Sequence, residues 1–486
     1  MEKKDLKPAG VFKYFEEICQ VPRPSKKEEK MIAYLKAFGA KHNLETKVDE
    51  AGNVLIKKPA TPGKENLQTV VLQSHIDMVC EKNNDVQHDF LTDPIETEID
   101  GEWLKAKGTT LGADNGIGVA TELAILADDS IEHGPLECLF TVDEETGLTG
   151  AFELKEGFMS GDILLNLDSE DEGEIFIGCA GGIDSVAGFS YKEVEVPAGY
   201  FFFKVEVKGL KGGHSGGDIH LGRGNANKIL NRFLSRMANR QDLYLCEING
   251  GNLRNAIPRE AYAICAVPED AKHDVRTELN IFTSEVENEL AVTEPDLKLV
   301  LESETPRKMA IDQDTTTRLL KALYAAPHGV YAMSQDIPGL VETSTNLASV
   351  KMKPNHIIRI ETSQRSSILS ARNDMANTVR AVFQLAGADV TFGEGYPGWK
   401  PNPHSAILEV AAESYKRLFG VEAKVKAIHA GLECGLFLDK YPTLDMISFG
   451  PTLTGVHSPD ERMHIPSVEK FWKHLLDILA HVPAKK

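Results

Sequence analysis

One pattern, written three times in the first part of the chain, restricts its fold more than any other feature. TVVLQSHIDMV at 69–79, PLECLFTVDEETG at 135–147 and DILLNLDSED at 162–171 each run apolar and then end in histidine or acid. A strand that is apolar on both faces belongs in the middle of a sheet covered on both sides. In open α/β sheets, ligands bind beyond the carboxyl ends of the strands. The three runs therefore deliver SHID, VDEE and NLDSE to a common crevice.

The segments around these runs suit the same architecture. A helix is expected over 8–19, ended by Pro22 and Pro24. Ser25 is placed to cap a second helix, with Glu28 closing a capping box. A further strand covers 53–58, and LGADNGIGVATELAIL at 111–126 reads as a glycine-rich turn feeding a helix. After about 190 the texture changes. FFFKVEVKGL alternates as a half-exposed strand does, the flexible loop GGHSGGDI follows, and 222–240 is an amphipathic helix. AYAICAV, LKLVLES and HIIRIETSQR read as strands and TTTRLLKALYAA as a helix. From Pro401 the chain gives a helix, the strand LDMISFG, a Gly/Pro-rich loop and a closing helix from Val468. The expected fold is α/β: a catalytic domain of mixed sheet and flanking helices, in two pieces at 1–190 and 397–486. An inserted α+β lid over 191–396 interrupts it. A length of 486 residues accommodates this, at roughly 150 residues per domain.

A net charge of −20 excludes a nucleic-acid binder and argues against docking on anionic lipid. No apolar run is long enough to span a membrane, and the charged start of the chain does not read as a signal peptide. Seven scattered cysteines without a CxxC pair read as reduced thiols of a cytoplasmic protein.

The polar tips carry the chemistry. His75 and Asp77 share one face of a strand end, as a metal-binding imidazole and the carboxylate that orients it would. Asp114 lies in GADNGIG, whose spacing does not match a dinucleotide-binding turn. It reads either as a helix cap or as a metal ligand. Asp143, Glu144 and Glu145 stack acids on an apolar strand, an arrangement that a cation would stabilise. Asp168 ends NLD beside apolar neighbours, and His457 lies in the loop GPTLTGVHSPDERM, with His464 a weaker candidate. Two histidines, two aspartates and one glutamate, without thiolates, suit zinc, cobalt or manganese. Five ligands hold two ions if one carboxylate bridges. Glu144, spare beside a ligand, is then the general base.

These segments resemble the co-catalytic di-zinc aminopeptidase, carboxypeptidase and aminoacylase superfamily, and within it the aminoacyl-histidine dipeptidases (Xaa-His or beta-alanyl-histidine dipeptidases). QSHIDMVCEKN, GTTLGADNGIGVA, LFTVDEETGLTGA and LLNLDSEDEGEIFIGCAGG carry the superfamily likeness, and GLKGGHSGGDIH and GVHSPDERMHIPS the narrower one. The resemblance implies a protease that hydrolyses unblocked dipeptides, Xaa-His preferentially and beta-Ala-His included. It implies two divalent ions, most simply zinc. His75 and Asp168 would hold one and Glu145 and His457 the other. Asp114 would bridge them, with a cis bond to Asn115. Asp77 would clamp His75, Glu144 would move the proton, and His214 in GGHSGG would stabilise the oxyanion. Asn255 and Arg365 would grip the substrate, Arg365 at its terminal carboxylate.

An N-acyl amino acid deacylase or a broader tri- or aminopeptidase on the same scaffold is the alternative, and a binding protein that kept the fold is the rival from another class. Simpler relatives carry a shorter lid that dimerises and lends its histidine across the interface. A lid of this length has room for two such lobes, the second beginning near Thr305, so one chain would complete its own site. A homodimer is also compatible with the sequence.

Overall fold

The three apolar runs lie side by side. The computed structural model describes residues 3–83 and 85–485. Its first sheet contains, in chain order, β1 (Glu45–Val48), β2 (Val54–Lys58), β3 (Val70–His75), β4 (Leu136–Thr141), β5 (Ile163–Asn166), β6 (Glu174–Cys179), β7 (Lys424–Ile428) and β8 (Asp445–Ser448). Their spatial order is β1-β2-β4-β3-β5-β8-β6-β7. β3 runs parallel to both β4 and β5, pairing His75 with Thr141 and Gln73 with Asn166. β1 and β2 are antiparallel additions at one edge, so the sheet is mixed.

Every residue of β3, β4 and β5 is buried. That explains their largely apolar sequence, since each buried Val, Leu, Ile or Phe contributes about 1.5–3 kcal/mol. The helix Ala113–Ala127 packs on β3 and on the helix Ala9–Cys19. Phe15, Ile18, Ile117 and Leu123 are fully buried among them.

Several boundaries differ from the sequence reading, each for a local reason. β3 stops at His75, and Met78 N–H instead bonds Arg23 C=O. β4 stops at Thr141, and the acids that follow lie on a short helical turn, Glu144–Gly147, entered through Asp143 at φ 50°. Ser25 does not cap the second helix. That helix is Glu29–Lys41, with no side-chain cap, because the Ser25 hydroxyl is taken by Asp77 and Glu28 accepts from Lys26 N–H and Asp143 N–H. The closing helix begins at Ile465, where Pro466 suits a first turn.

The chain divides into two units, 1–179 with 399–427 and 432–486, and 180–398 with 428–431. The first transition precedes the expected 190 because Gly181–Ser190 is itself a strand of the second unit, paired along its length with Ile357–Ser366.

The second unit is built on a nine-stranded antiparallel sheet. One half orders Lys298–Ser303, Tyr200–Lys208, Ala261–Pro268 and Tyr244–Gly250. The other orders Val341–Lys353, Ile357–Ser366, Gly181–Ser190 and Asp389–Phe392, with Gly329–Met333 on Val341–Lys353. The halves meet where Asn249 pairs with Lys351 and Gly250 with Val350. Phe203, Phe233, Phe282 and Phe383 anchor one continuous apolar core beneath both.

Candidate active site

His75 closes β3, and Asp77 follows on a fully buried turn. Asp77 Oδ1 stands 3.3 Å from His75 Nδ1 and accepts the Glu144 N–H at 3.0 Å. Its Oδ2 accepts the Ser25 hydroxyl at 2.7 Å and the Glu145 N–H at 3.2 Å. With Nδ1 turned to Asp77, His75 presents Nε2 to the cluster beyond the strand tips.

Asp114 occupies the start of the helix Ala113–Ala127, where the backbone departs from helical geometry and the peptide to Asn115 is cis. Its side chain faces two histidines rather than the helix backbone. Oδ1 lies 3.1 Å from His75 Nε2, and Oδ2 lies 3.2 Å from His457 Nε2. His457 Nε2 is also 3.0 Å from Glu145 Oε2, and His75 Nε2 is 3.4 Å from Asp168 Oδ1. Two groups, each a histidine with a carboxylate of its own, thus share the two oxygens of one aspartate.

These residues fit divalent cations. The donors are imidazole nitrogen and carboxylate oxygen. Donor atoms of His75, Asp114 and Glu145 all lie within 4.8 Å of one another. Glu145 Oε1 and Asp168 Oδ1 are buried without a hydrogen-bond partner, the condition of acceptors placed for an ion. The crowding of acids points the same way. Burial, against the opposing charge of His75, pushes Asp168 up to about 7. Burial and then the charges of Asp114 and Asp168 push Glu170 up to about 8. Cations among them would relieve both effects.

Glu144 is held through its N–H by Asp77, and its side chain makes no ion pair with either histidine among the described contacts. Desolvation raises its carboxyl well above the usual range, against His75, with Asp168, Glu433 and Glu145 adding to the rise. Asp143, third of the acidic run, is committed to the hydroxyls of Thr146 and Thr149. His464 stands apart, its ring tilted at 54° against Trp103.

Two buried residues of this region escaped the sequence reading. Arg23 donates to the C=O groups of Ile76, Asp77 and Gly112 at 3.1, 3.0 and 2.5 Å, tying the His75 turn to the Asp114 turn. Glu433 sits one layer below the cluster, where its Oε2 accepts from Gln73 Nε2 at 2.7 Å and the Thr141 hydroxyl at 2.8 Å. Nothing local marks either residue. The only signal is an arginine between prolines and a lone acid in an apolar segment.

The remaining candidates gather within the second unit. Gly216 and Gly217 donate their N–H groups to His214 Nδ1 at 3.3 and 3.0 Å. That assigns the ring proton to Nε2 and makes His214 an outward donor. Burial, then the charge of Arg365, lowers it to about 4, so the ring is neutral. His214 bridges to Ala256, and Ser215 N–H donates to Asn255 C=O at 2.8 Å. Arg365 is buried, donates to the Tyr396 hydroxyl at 3.0 Å and leaves its Nε without a hydrogen-bond partner. Three other arginines of this unit are engaged: Arg254 with Asp184, Arg259 with Leu210 C=O, and Arg372 with the C=O groups of Gly182 and Tyr396.

The sequence pattern of peptidase family M20/M25/M40 matches residues 71–481. The chain belongs to this family. Its members are metallopeptidases, so membership implies divalent metal ions. The cytosol non-specific dipeptidase of Escherichia coli (strain K12) is 47% identical over 484 residues, covering 100% of each chain. The crystal structure of an aminoacylhistidine dipeptidase from Vibrio alginolyticus is 46% identical, with a TM-score of 0.92 over 100% of this chain and 99% of that one. The aminopeptidase PepT of Bacillus cereus shares the family fold at 16% identity, with a TM-score of 0.62 over 98% of this chain and 99% of that one. Among the described residues, no helix is long and apolar enough to cross a membrane.

Proposed function

We propose that this protein is a metal-dependent dipeptidase that hydrolyses unblocked dipeptides, preferentially Xaa-His, beta-Ala-His included. The observation that carries this reading is the shared Asp114 carboxylate, one oxygen facing His75 and the other His457. His75 and Asp168 would hold one divalent ion and Glu145 and His457 a second, with Asp114 serving both. Zinc is the simplest occupant, and cobalt and manganese suit the same donors. When bound, such ions supply Lewis acidity, which polarises the scissile carbonyl and eases deprotonation of water.

The protein's own groups do the rest. Glu144 takes the proton from the attacking water and delivers it to the leaving nitrogen. Asp77 fixes the backbone that carries Glu144 and Glu145 while holding His75 in the tautomer a ligand needs. The second unit grips substrate: His214 donates Nε2–H to the developing oxyanion, Arg365 takes the terminal carboxylate, and Asn255 assists. The division of that unit's sheet into a half of four strands and a half of five supports the further reading that one half stands in for a partner's lid, so that a monomer is active. Seven free cysteines suit a cytoplasmic setting.

The test is hydrolysis of Ala-His, beta-Ala-His, Ala-Leu, an N-acetyl amino acid and a tripeptide, before and after chelation, with zinc, cobalt or manganese restored singly. Metal-dependent cleavage of the dipeptides supports the proposal, and Ala-His cut faster than Ala-Leu supports the histidine preference. Cleavage of the N-acetyl amino acid or the tripeptide in preference to dipeptides would move the assignment to a deacylase or aminopeptidase. Activity found only in a dimer would remove the single-chain reading.

A further inference from the structure

Asp114 can serve both histidines only if the turn that carries it is held in place from several sides. Arg23 grips the C=O of Gly112, and Asn115 Nδ2 donates to Leu167 C=O at 2.7 Å, next to Asp168. The remaining side is closed by Glu461. Its Oε2 accepts the N–H groups of Leu111 at 2.8 Å and Gly112 at 3.0 Å, and its Oε1 those of Ala113 at 2.8 Å and Asp114 at 3.3 Å. The carboxylate is 2% exposed and takes up every one of these donors.

The first N–H groups of a helix have no partner within it, and a carboxylate is the favoured ligand for them. Here the carboxylate comes from a segment nearly 350 residues away in sequence. That segment is the loop that bears His457. Glu461 N–H closes back on Ser458 C=O at 3.0 Å, the Ser458 hydroxyl on Gly455 C=O at 2.6 Å, and His457 itself adopts φ 61°. The loop is thus a small folded unit with His457 near one end and Glu461 at the other. Because Glu461 binds the backbone at Asp114 while His457 faces the Asp114 side chain, the two contacts set the separation of the ligands on either side of the bridge.

We infer that Glu461 is the positioning residue that joins the two halves of the metal centre, through its cradle of Leu111–Asp114 N–H groups on one side and the His457 loop on the other. This rests on the metal-ligand reading above. Gly112 shows how little slack the joint has. It sits at φ 69°, and a Cβ there would lie 2.6 Å from Arg23 Nη2 and 2.8 Å from Met78 Sδ. Arg23 and Met78 thus pack directly against the turn that Glu461 cradles.

The test uses full-length metal-free protein titrated with cobalt(II), read by visible absorption and by calorimetry, for the wild type, Glu461→Gln and Glu461→Asp. Glutamine replaces one acceptor oxygen with an NH₂ group that faces two N–H donors, so half the cradle is lost. E461Q is expected to bind cobalt about tenfold to a hundredfold more weakly in at least one step. Its cobalt spectrum should change, and kcat should fall with KM for Ala-His near wild type. E461D keeps the charge and both acceptors on a shorter stem and should lie between. A lower melting temperature with unchanged cobalt affinity and spectrum would make Glu461 merely structural and overturn the inference. If E461Q does not fold, E461D decides in the same way. Failure of the wild type to bind cobalt would instead remove the metal-ligand reading itself.

Discussion

Replacing Asp77 by asparagine keeps its volume and removes one acceptor, which makes the consequence calculable. The carboxylate now serves the Ser25 hydroxyl and Glu145 N–H with one oxygen, and Glu144 N–H and His75 Nδ1 with the other. The single carbonyl oxygen of Asp77→Asn can keep only one of these pairs. If it stays with Ser25 and Glu145, its NH₂ faces Glu144 N–H, a donor against a donor. His75 Nδ1–H then meets the amide NH₂ and keeps only the Asp77 C=O at 3.2 Å as acceptor, which weakens the hold on the tautomer that leaves Nε2 free to face Asp114 and Asp168. If the amide flips, His75 keeps its tautomer but Ser25 and Glu145 lose their acceptor. Either way at least one hydrogen bond to a charged group is lost, worth about 1.5–3 kcal/mol. At ~1.4 kcal/mol per decade, metal affinity should fall about tenfold to a hundredfold. The assay is competition for zinc against a chelator of known affinity, with kcat measured at saturating metal. Wild-type affinity and rate in a folded D77N protein would refute the assigned contacts.

Glu144→Gln should leave metal affinity unchanged and lower kcat by about 10²- to 10⁴-fold; a fully active variant would remove Glu144 as the base. Arg365→Ala should raise KM for Ala-His about tenfold to a hundredfold, for a lost charged hydrogen bond of ~1.5–3 kcal/mol. A dipeptide amide, which lacks the carboxylate, should be little affected, and equal effects on both would refute the assignment. Glu122 is fully buried, bonded to the Ser74 hydroxyl, and burial holds its carboxyl well above the ordinary value of 4.5. The folded protein keeps this proton where the unfolded chain has lost it, so its stability falls as pH rises above about 4.5. Glu122→Gln cannot titrate, and its melting temperature should gain on the wild type between pH 5 and 8. A pH-independent gap would show that Glu122 is ionised.

What was legible in the sequence was whatever is written locally. The apolar runs announce β3, β4 and β5, and because each run carries its polar tip with it, His75, Asp77, Glu144, Glu145 and Asp168 were already placed at one end of a sheet. Asp114 and His457 stood out through glycine-rich surroundings. Long-range hydrogen bonding was not legible. Ser25 looks like a cap until Asp77 is seen to claim it, and Arg23 looks like a charge in a turn until three carbonyls close on it. Glu461, in the polar stretch SPDER, has the appearance of a solvated loop residue. In each case the partner lies at least 50 residues away, and no periodicity reports it.

The strand order carries a consequence for how the protein is made. β5 and β6 are close neighbours in the chain, yet β8 lies between them. The gap is filled by a strand that leaves the ribosome roughly 270 residues later, at ~10 residues per second about half a minute. Throughout that interval the nascent chain carries open edges on β5 and β6 and lacks His457 and Glu461. Until β8 arrives, those edges are exposed to pairing with other chains. Premature termination anywhere before β8 therefore leaves a fragment that can aggregate but cannot assemble the site, which ties quality control of the product to the last strand of its sheet.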